Sequence, residues 1–272
     1  MFTESQIKSF NKNGYLVIED FINTNQRNLL IDRASHLIEQ FKPPSRRTIF
    51  TTNEQERTSD DYFLGSGDQI RFFFEEKAID KDGNLTVPKQ VAINKIGHAQ
   101  HILDPVYKRI TEELGLNGLA KQLGMKKPKA LQSMHIFKQP GIGGEVGLHQ
   151  DSTFLYTEPM SCIGFWFALE RADRENGCLQ ALTGGHKIPL KKRFHLSTNG
   201  GTEFEVFDEQ PWPKKPLDIF EVEAGTLIVL HGQLPHYSAE NISPKSRQAF
   251  TIHFVDQNSH YPEDNWLQSR YN

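Results

Sequence analysis

The chain is 272 residues long, 37% of them hydrophobic, and its 19 Phe supply enough apolar material for a sizeable core. Its net charge is −3 with both signs interspersed, which argues against nucleic acid or an anionic membrane as the main partner. The two cysteines, Cys162 and Cys178, form no C-x-x-C pair and give no support to a zinc finger or a disulfide framework.

Neither end of the chain carries a targeting pattern. Residues 1–6 are polar, without the basic and then apolar pattern of a secretory signal, and no apolar run reaches about 18 residues. Residues 269–272 do not match the Ser-Lys-Leu type of peroxisomal signal. We therefore expect a cytoplasmic protein that does not enter a membrane, and we expect it to be a monomer.

The first half of the chain predicts helices. Thr3 and Gln6 form a capping box that opens a helix, and Gly14 ends it. Asn23 is the expected N-cap of a second helix over residues 26–41, whose apolar side chains recur at helical spacing. Further elements are predicted as strands over residues 15–19 and 70–74 and as helices over residues 104–113 and 119–123.

Residues 45–68 are polar, charged and poorly periodic, so they predict a long loop. Long loops in compact domains often serve as lids or binding segments. Arg46, Arg47 and the patch at residues 60–63 are therefore candidates for substrate contacts.

The second half of the chain predicts many short strands. Residues 131–138 alternate in character, residues 163–169 form a continuous apolar run, and Asn176-Gly177 marks a turn into another strand. Residues 187–218 read as a charged and polar insertion, and two strands flank a turn within residues 221–231. The pattern indicates one domain over residues 1–272, mainly β with flanking helices, of the jelly-roll type.

His149 and Asp151 are the first candidate metal ligands. Side chains two residues apart on an extended strand point to the same face, so both could bind one ion. The best third ligand is His236, which heads a β segment well downstream. Two histidines and one carboxylate leave three positions of an octahedral ion open, as in non-haem Fe(II) oxygenases. His231 is a competing third ligand, although its place at the end of an apolar strand favours a structural role.

Arg247 makes the prediction more specific. It follows His236 closely and starts the last β-rich segment. A guanidinium can hold a carboxylate through two parallel hydrogen bonds, so a fixed arginine near an open iron site suits a dicarboxylate co-substrate.

Longer stretches of the chain match a known family. They are residues 61–64, 68–74, 93–99, 132–134, 136–140, 143–146, 149–151, 154–159, 175–179 and 265–268. With these stretches the chain resembles the phytanoyl-CoA dioxygenase family of Fe(II)- and 2-oxoglutarate-dependent oxygenases over nearly its whole length. The resemblance implies a double-stranded β-helix that is jelly-roll or cupin-like.

The resemblance also implies roles for individual residues. His149, Asp151 and His236 match the family's iron ligands, and Arg247 with Ser238 matches the group that holds the distal carboxylate of 2-oxoglutarate. The positions that match other co-substrate contacts are Lys95, Met134 and Trp166. From the residues alone, Lys95 would be a surface side chain and Met134 a core one.

The expected activity is hydroxylation of a small, lipid-like or acyl-type organic substrate, using Fe(II), 2-oxoglutarate and O2 and releasing succinate and CO2. The carboxylate of Asp151 favours hydroxylation over halogenation. Two alternatives stay open. The same three ligands could hold zinc and activate water in a hydrolase, or the barrel could bind a small acid without turnover.

Overall fold

The computed structural model describes residues 1–43, 49–50 and 61–269, so Arg46, Arg47 and Asp60 lie outside the described residues. The helices are α1 Glu4–Asn13, α2 Thr24–Gln40, α3 Asp61–Leu64, α4 Lys89–Ala92, α5 Gln100–Leu103, α6 Pro105–Glu113 and α7 Leu116–Gln122. The strands are β1 Tyr15–Ile18, β2 Ile49–Phe50, β3 Ile70–Glu75, β4 Ile93–His98, β5 Pro128–Lys138, β6 Val146–His149, β7 Ile163–Ala168, β8 Leu179–Ala181, β9 Lys192–Leu196, β10 Thr202–Val206, β11 Asp218–Phe220, β12 Leu227–His231, β13 His236–Ser238 and β14 Arg247–Asp256.

Both predicted helix caps are present. The Thr3 hydroxyl accepts a hydrogen bond from the Gln6 N–H at 3.2 Å, and the Asn23 side chain accepts one from the Gln26 N–H at 2.9 Å. In each case the glutamine side chain accepts a bond from the cap's own N–H, which completes the capping box. α1 ends at Gly14, whose φ of 86° is a left-handed conformation that glycine adopts without a steric penalty.

The strands form two main sheets. The large sheet has the order β1-β12-β7-β14-β5-β4-β3-β2, and the small sheet has the order β11-β8-β13-β6. Buried residues from both sheets pack against each other, among them Trp166 and Ala249 from the large sheet and Leu179 and Ala181 from the small one. This arrangement confirms the prediction of a mainly β, double-stranded β-helix with flanking helices.

The two faces of the large sheet have different neighbours. Phe250, Ile252 and Phe254 of β14 belong to the core that also holds Phe10 of α1 and Leu30 of α2. The intervening residues of β14 face the other way, towards the small sheet, because successive side chains of a strand point to opposite faces. Helices α1, α2, α6 and α7 thus cover one face of the large sheet and leave the other to build the site.

Residues 187–218 contain a pair of strands that were not predicted from the sequence. β9 and β10 pair as an antiparallel hairpin within them, and Phe194 of β9 is buried in a cluster with Leu155 and Trp266. The prediction of a charged and polar insertion did not include this hairpin or its buried phenylalanine. The two strands carry many charged residues, so the apolar side chains that anchor the hairpin were not recognised in the sequence.

Candidate active site

A cavity of about 530 Å³ is lined by residues of both sheets. One part of its wall carries the predicted site residues, which come from β4, β5, β6, β7, β13, β14 and the segment just after β6. Another part is aromatic, where the ring of Phe63 stacks on that of Trp266 at a centroid distance of 4.3 Å, and Phe154, Phe204 and Trp212 also line the space. The cavity therefore joins a group of polar side chains to an aromatic lining, which Lys191 and Lys192 flank with their Nζ atoms 5.4 Å and 4.5 Å from the ring centroids of Trp212 and Phe204.

The structure brings His149, Asp151 and His236 together. His149 ends β6 and His236 begins β13, and the two residues lie directly opposite each other in the antiparallel ladder. The Nε2 atoms of both histidines lie 3.7 Å from Oδ1 of Asp151. One donor atom from each residue lies within 4.8 Å of the others.

Asp151 does not lie on a strand, which corrects the expectation that the pair shares one. β6 ends at His149, and Asp151 begins a short 3-10 turn over residues 151–153. Gln150 between them is still extended, with φ −114° and ψ 133°, so His149 and Asp151 keep the same side. The side chain of Gln150 is fixed on the other side, where it donates to the Gln233 carbonyl at 2.9 Å.

Backbone carbonyls orient both imidazoles. Nδ1 of His149 lies 2.8 Å from the Gly147 carbonyl oxygen, and Nδ1 of His236 lies 3.0 Å from the Leu234 carbonyl oxygen. A carbonyl can only accept, so each Nδ1 carries the proton and donates it. The lone pair of each Nε2 then faces Asp151, which is the tautomer that metal ligation requires.

The electrostatics of Asp151 favour its ionised form. Burial alone would raise the pKa of Asp151, but the imidazoles of His236, His253 and His149 outweigh burial and lower it below its usual range. The three donors lie close enough to share one divalent ion, because each Nε2 lies 3.7 Å from Oδ1 of Asp151 and all three donor atoms lie within 4.8 Å of one another. Two imidazoles and one carboxylate on one side of the ion are the donor set of non-haem Fe(II) oxygenases.

Arg247 lies deep in the same cavity. Its side chain is fully buried, one Nη donates to the Ser238 hydroxyl at 3.3 Å, and the guanidinium lies 5.5 Å from the Trp166 ring centroid. Among the described residues no carboxylate forms an ion pair with it, and its Nε has no hydrogen-bond partner. Burial lowers the pKa of Arg247 to about 10, so the group stays charged at neutral pH without a direct counter-ion.

A second buried cation lies beside it. Lys138 of β5 is the direct antiparallel partner of Arg247, and its Nζ donates to the carbonyls of Ser238, at 3.1 Å, and Ala239. Burial, and then the charge of Arg247, lower the pKa of Lys138 to about 7. The carboxyl of Glu75 is also buried near this pair, and burial raises its pKa.

Lys95 and Met134 both line the cavity. Lys95 is buried, with its Nζ 5.2 Å from the ring centroid of Phe73, so the expectation of a surface lysine from the residues alone is wrong. β4 lies between β3 and β5, and all six of its residues are buried, so Lys95 reaches the cavity and not the outer surface. Met134 is half-buried and borders open space instead of packing wholly into the core.

Three histidines outside the predicted ligand set differ in position. His231 packs against His186 and Phe10 and takes no part in the three-donor group. His253 and His98 were missed by the sequence reasoning, and both line the cavity. The signal for His253 was its even spacing from Arg247 on one strand, since residues an even number apart face the same side.

Comparison with known proteins is consistent with this geometry. A family model described as phytanoyl-CoA dioxygenase (PhyH) matches residues 10–249. The chain is 47% identical over 270 residues to the phytanoyl-CoA dioxygenase of Arabidopsis thaliana, covering 98% of this chain and 93% of the relative. It is 42% identical over 275 residues to phytanoyl-CoA dioxygenase domain-containing protein 1 of Bos taurus, covering 97% and 94%. Among solved structures, EctD from S. alaskensis with 2-oxoglutarate and 5-hydroxyectoine has a TM-score of 0.66 at 18% identity, covering 99% of this chain and 84% of that one.

Proposed function

The chain belongs to the phytanoyl-CoA dioxygenase family and is a 2-oxoglutarate-dependent non-haem iron dioxygenase, and from that premise we propose that it hydroxylates a small or lipid-like organic substrate. In the proposed reaction one oxygen atom of O2 enters a C–H bond of the substrate. The other enters 2-oxoglutarate, which loses its C1 as CO2 and leaves as succinate.

The observation that carries the proposal is the pairing of two features in one cavity. His149, Asp151 and His236 present three donors to one point, and Arg247 presents a buried cation that forms no ion pair with the described carboxylates. A buried charge is costly unless it is paired, so this arrangement favours an anionic ligand. A dicarboxylate that reaches from the metal to Arg247 meets both requirements.

Each residue has a defined task in this proposal. His149, Asp151 and His236 would hold Fe(II), which supplies the activation of O2. Arg247 would hold the C5 carboxylate of 2-oxoglutarate, and the Ser238 hydroxyl would orient the guanidinium. We assign Lys95, Met134 and Trp166 to the walls that confine the co-substrate.

The aromatic wall supports an apolar substrate. Phe63, Phe154, Phe204, Trp212 and Trp266 line that part of the cavity, where burial of apolar surface would favour a lipid-like or acyl-type molecule. A zinc hydrolase needs no buried cation beside its water-activating metal, so Arg247 favours the oxygenase over that alternative. A silent acid-binding barrel differs from the oxygenase in turnover, which an experiment can measure.

The test is succinate formation from 2-oxoglutarate under air, with Fe(II) and a panel of hydroxylatable lipids and small acids. We expect release that depends on both iron and O2 and rises with the right substrate. In the absence of O2, Fe(II) and 2-oxoglutarate together should give a weak visible charge-transfer band. Iron that binds without this band, and no succinate under air, would contradict the proposal.

Other expectations stay predictions: a single domain over residues 1–272, a monomeric state, a cytoplasmic location and no nucleic-acid partner. Within the described ranges, the helices are too short or too polar to cross a membrane.

A further inference from the structure

The carboxylate of Asp151 uses its two oxygens differently. Oδ1 lies 3.7 Å from the Nε2 atoms of both His149 and His236, so it faces the point where an ion would bind. Oδ2 lies 3.2 Å from Nε2 of His253, which belongs to β14. One oxygen is thus free for a metal while a third histidine, His253, holds the other.

The surroundings of His253 define which of its nitrogens carries the proton. In the large sheet His253 lies directly opposite Gln132 of β5 on one side and Gly164 of β7 on the other. The Gln132 amide nitrogen lies 3.4 Å from Nδ1 of His253. An amide nitrogen can only donate, so Nδ1 of His253 accepts and the proton of the imidazole is on Nε2, which donates it to Oδ2 of Asp151. His253 is itself buried, so water does not compete freely for this bond.

Gly164 supplies the space for this contact. A Cβ at position 164 would lie 3.1 Å from Nε2 of His253 and 3.3 Å from Oδ2 of Asp151. Both distances are tighter than ordinary van der Waals contact, so any side chain there would press on the two atoms that form the hydrogen bond. A row of three residues therefore crosses the neighbouring strands β5, β14 and β7, namely Gln132, His253 and Gly164. Oδ2 of Asp151 lies beside His253 and Gly164 in this row.

We propose that His253 is a positioning residue that limits Asp151 to binding the metal through Oδ1 alone. This inference rests on the proposed function, in which the metal must keep three positions open, two for 2-oxoglutarate and one for O2. A carboxylate that bound through both oxygens would occupy one of those positions. To bind through both oxygens, the carboxylate would have to rotate away from His253. The hydrogen bond that His253 donates to Oδ2 opposes this rotation and keeps the carboxylate oriented before the metal arrives.

The test compares His253→Phe, which keeps a ring but removes the donor, with His253→Gln, whose amide places an N–H near the same point. Fe(II) affinity is measured by competition with a chelator in the absence of O2. We expect His253→Phe to weaken Fe(II) binding by about 10–100-fold and His253→Gln to restore most of the loss. At equal iron occupancy, His253→Phe should also give a weaker 2-oxoglutarate charge-transfer band than the wild type.

His135→Phe is the matched control. His135 is a buried imidazole on β5, next to β14, with hydrogen bonds to the Tyr107 hydroxyl at 2.8 Å and the Gln248 side chain at 3.0 Å, away from the metal ligands. This variant should lose stability while its Fe(II) affinity stays that of the wild type. Gly164→Ala is a second probe in case His253→Phe does not fold, and it should weaken Fe(II) binding several-fold.

The outcomes separate the two proposals. A wild-type protein that gives no charge-transfer band and no succinate overturns the proposed function. A wild-type protein that gives both, with unchanged Fe(II) affinity and band in His253→Phe, overturns only the role of His253. If His253→Phe does not fold, wild-type Fe(II) affinity in Gly164→Ala overturns it instead.

Discussion

The two ends of the cavity are prepared in different ways. At the metal end, formed by His149, Asp151 and His236, backbone carbonyls or a neighbouring imidazole already orient the donors. At the cation end, formed by Lys138 and Arg247, two buried positive groups lie side by side, and Arg247 has no ion pair among the described residues. At the metal end the positions of the donor atoms are fixed in advance, and at the cation end the positive charge is already in place. Changes at the first should therefore affect whether the metal binds, and changes at the second how tightly an anion binds.

The largest effect is expected at the metal end. Asp151→Ala removes the only carboxylate of the three-donor group, and we expect it to abolish Fe(II) binding and succinate formation. It also leaves the buried Nε2–H of His253 without its acceptor, which should cost about 1–3 kcal/mol in the free energy of unfolding. Chelator competition and urea unfolding measure the two effects.

Glu223→Ala, which changes an exposed carboxylate, is the control and should alter neither quantity. If Asp151→Ala abolished folding instead of iron binding alone, the ion at this end would be structural and the contrast between the two ends would fail.

The next effect is expected at the cation end. Arg247→Ala should weaken 2-oxoglutarate binding by about 2–5 kcal/mol, because it removes one partner of a buried charge pair. Fe(II) affinity in the absence of 2-oxoglutarate should stay that of the wild type. Titration of the charge-transfer band with 2-oxoglutarate gives the co-substrate affinity.

Arg247→Lys keeps the charge but loses the two parallel hydrogen bonds of a guanidinium, so its affinity should lie between those of Arg247→Ala and the wild type. Equal 2-oxoglutarate affinity in all three proteins would show that the anion binds elsewhere.

The sequence predicted the metal end better than the cation end for a physical reason. His149 and Asp151 are close in the chain, and one extended residue between them is enough to align them. Their approach to His236, and the pairing of Lys138 with Arg247, depend on which strands become neighbours and in which register. Strand register follows from packing of the whole sheet, which local spacing does not encode.

The same limit explains the other differences. A lysine such as Lys95 is usually exposed, and only the burial of β4 between two strands places it inside. The hairpin of β9 and β10 was not predicted because its strands carry many charged residues. Its apolar signal is the pair of Phe194 and Phe204, which lie opposite each other on the two strands. The helix caps at Thr3 and Asn23 were predictable, because capping depends only on residues three apart.

The smallest effect concerns the pH dependence of the cation end. The pKa of Lys138 is lowered to about 7 in the folded protein, so the lysine loses its charge as pH rises through that value. A carboxylate of 2-oxoglutarate bound nearby favours the charged form of Lys138, so above pH 7 binding is accompanied by uptake of a proton at Lys138. The affinity for 2-oxoglutarate should therefore fall by about tenfold between pH 6.5 and 8.5, since each pKa unit of coupling corresponds to a tenfold change. Titrations of the charge-transfer band at saturating iron measure this fall.

Lys138→Met removes the titrating group, so its 2-oxoglutarate affinity should vary little over the same pH range, whereas Lys77→Met, at an exposed lysine, should behave as the wild type.

Stability gives an independent check on the sign of the pKa shift of Lys138. A lysine whose folded pKa is lowered binds more protons when unfolded between about pH 7 and its ordinary pKa, so the free energy of unfolding should rise with pH there. Relative to Lys138→Met, the wild type should become more stable between pH 7 and 9. A constant difference between the two proteins across this range would mean that Lys138 keeps its ordinary pKa, and the cation end would then hold its charge at every physiological pH.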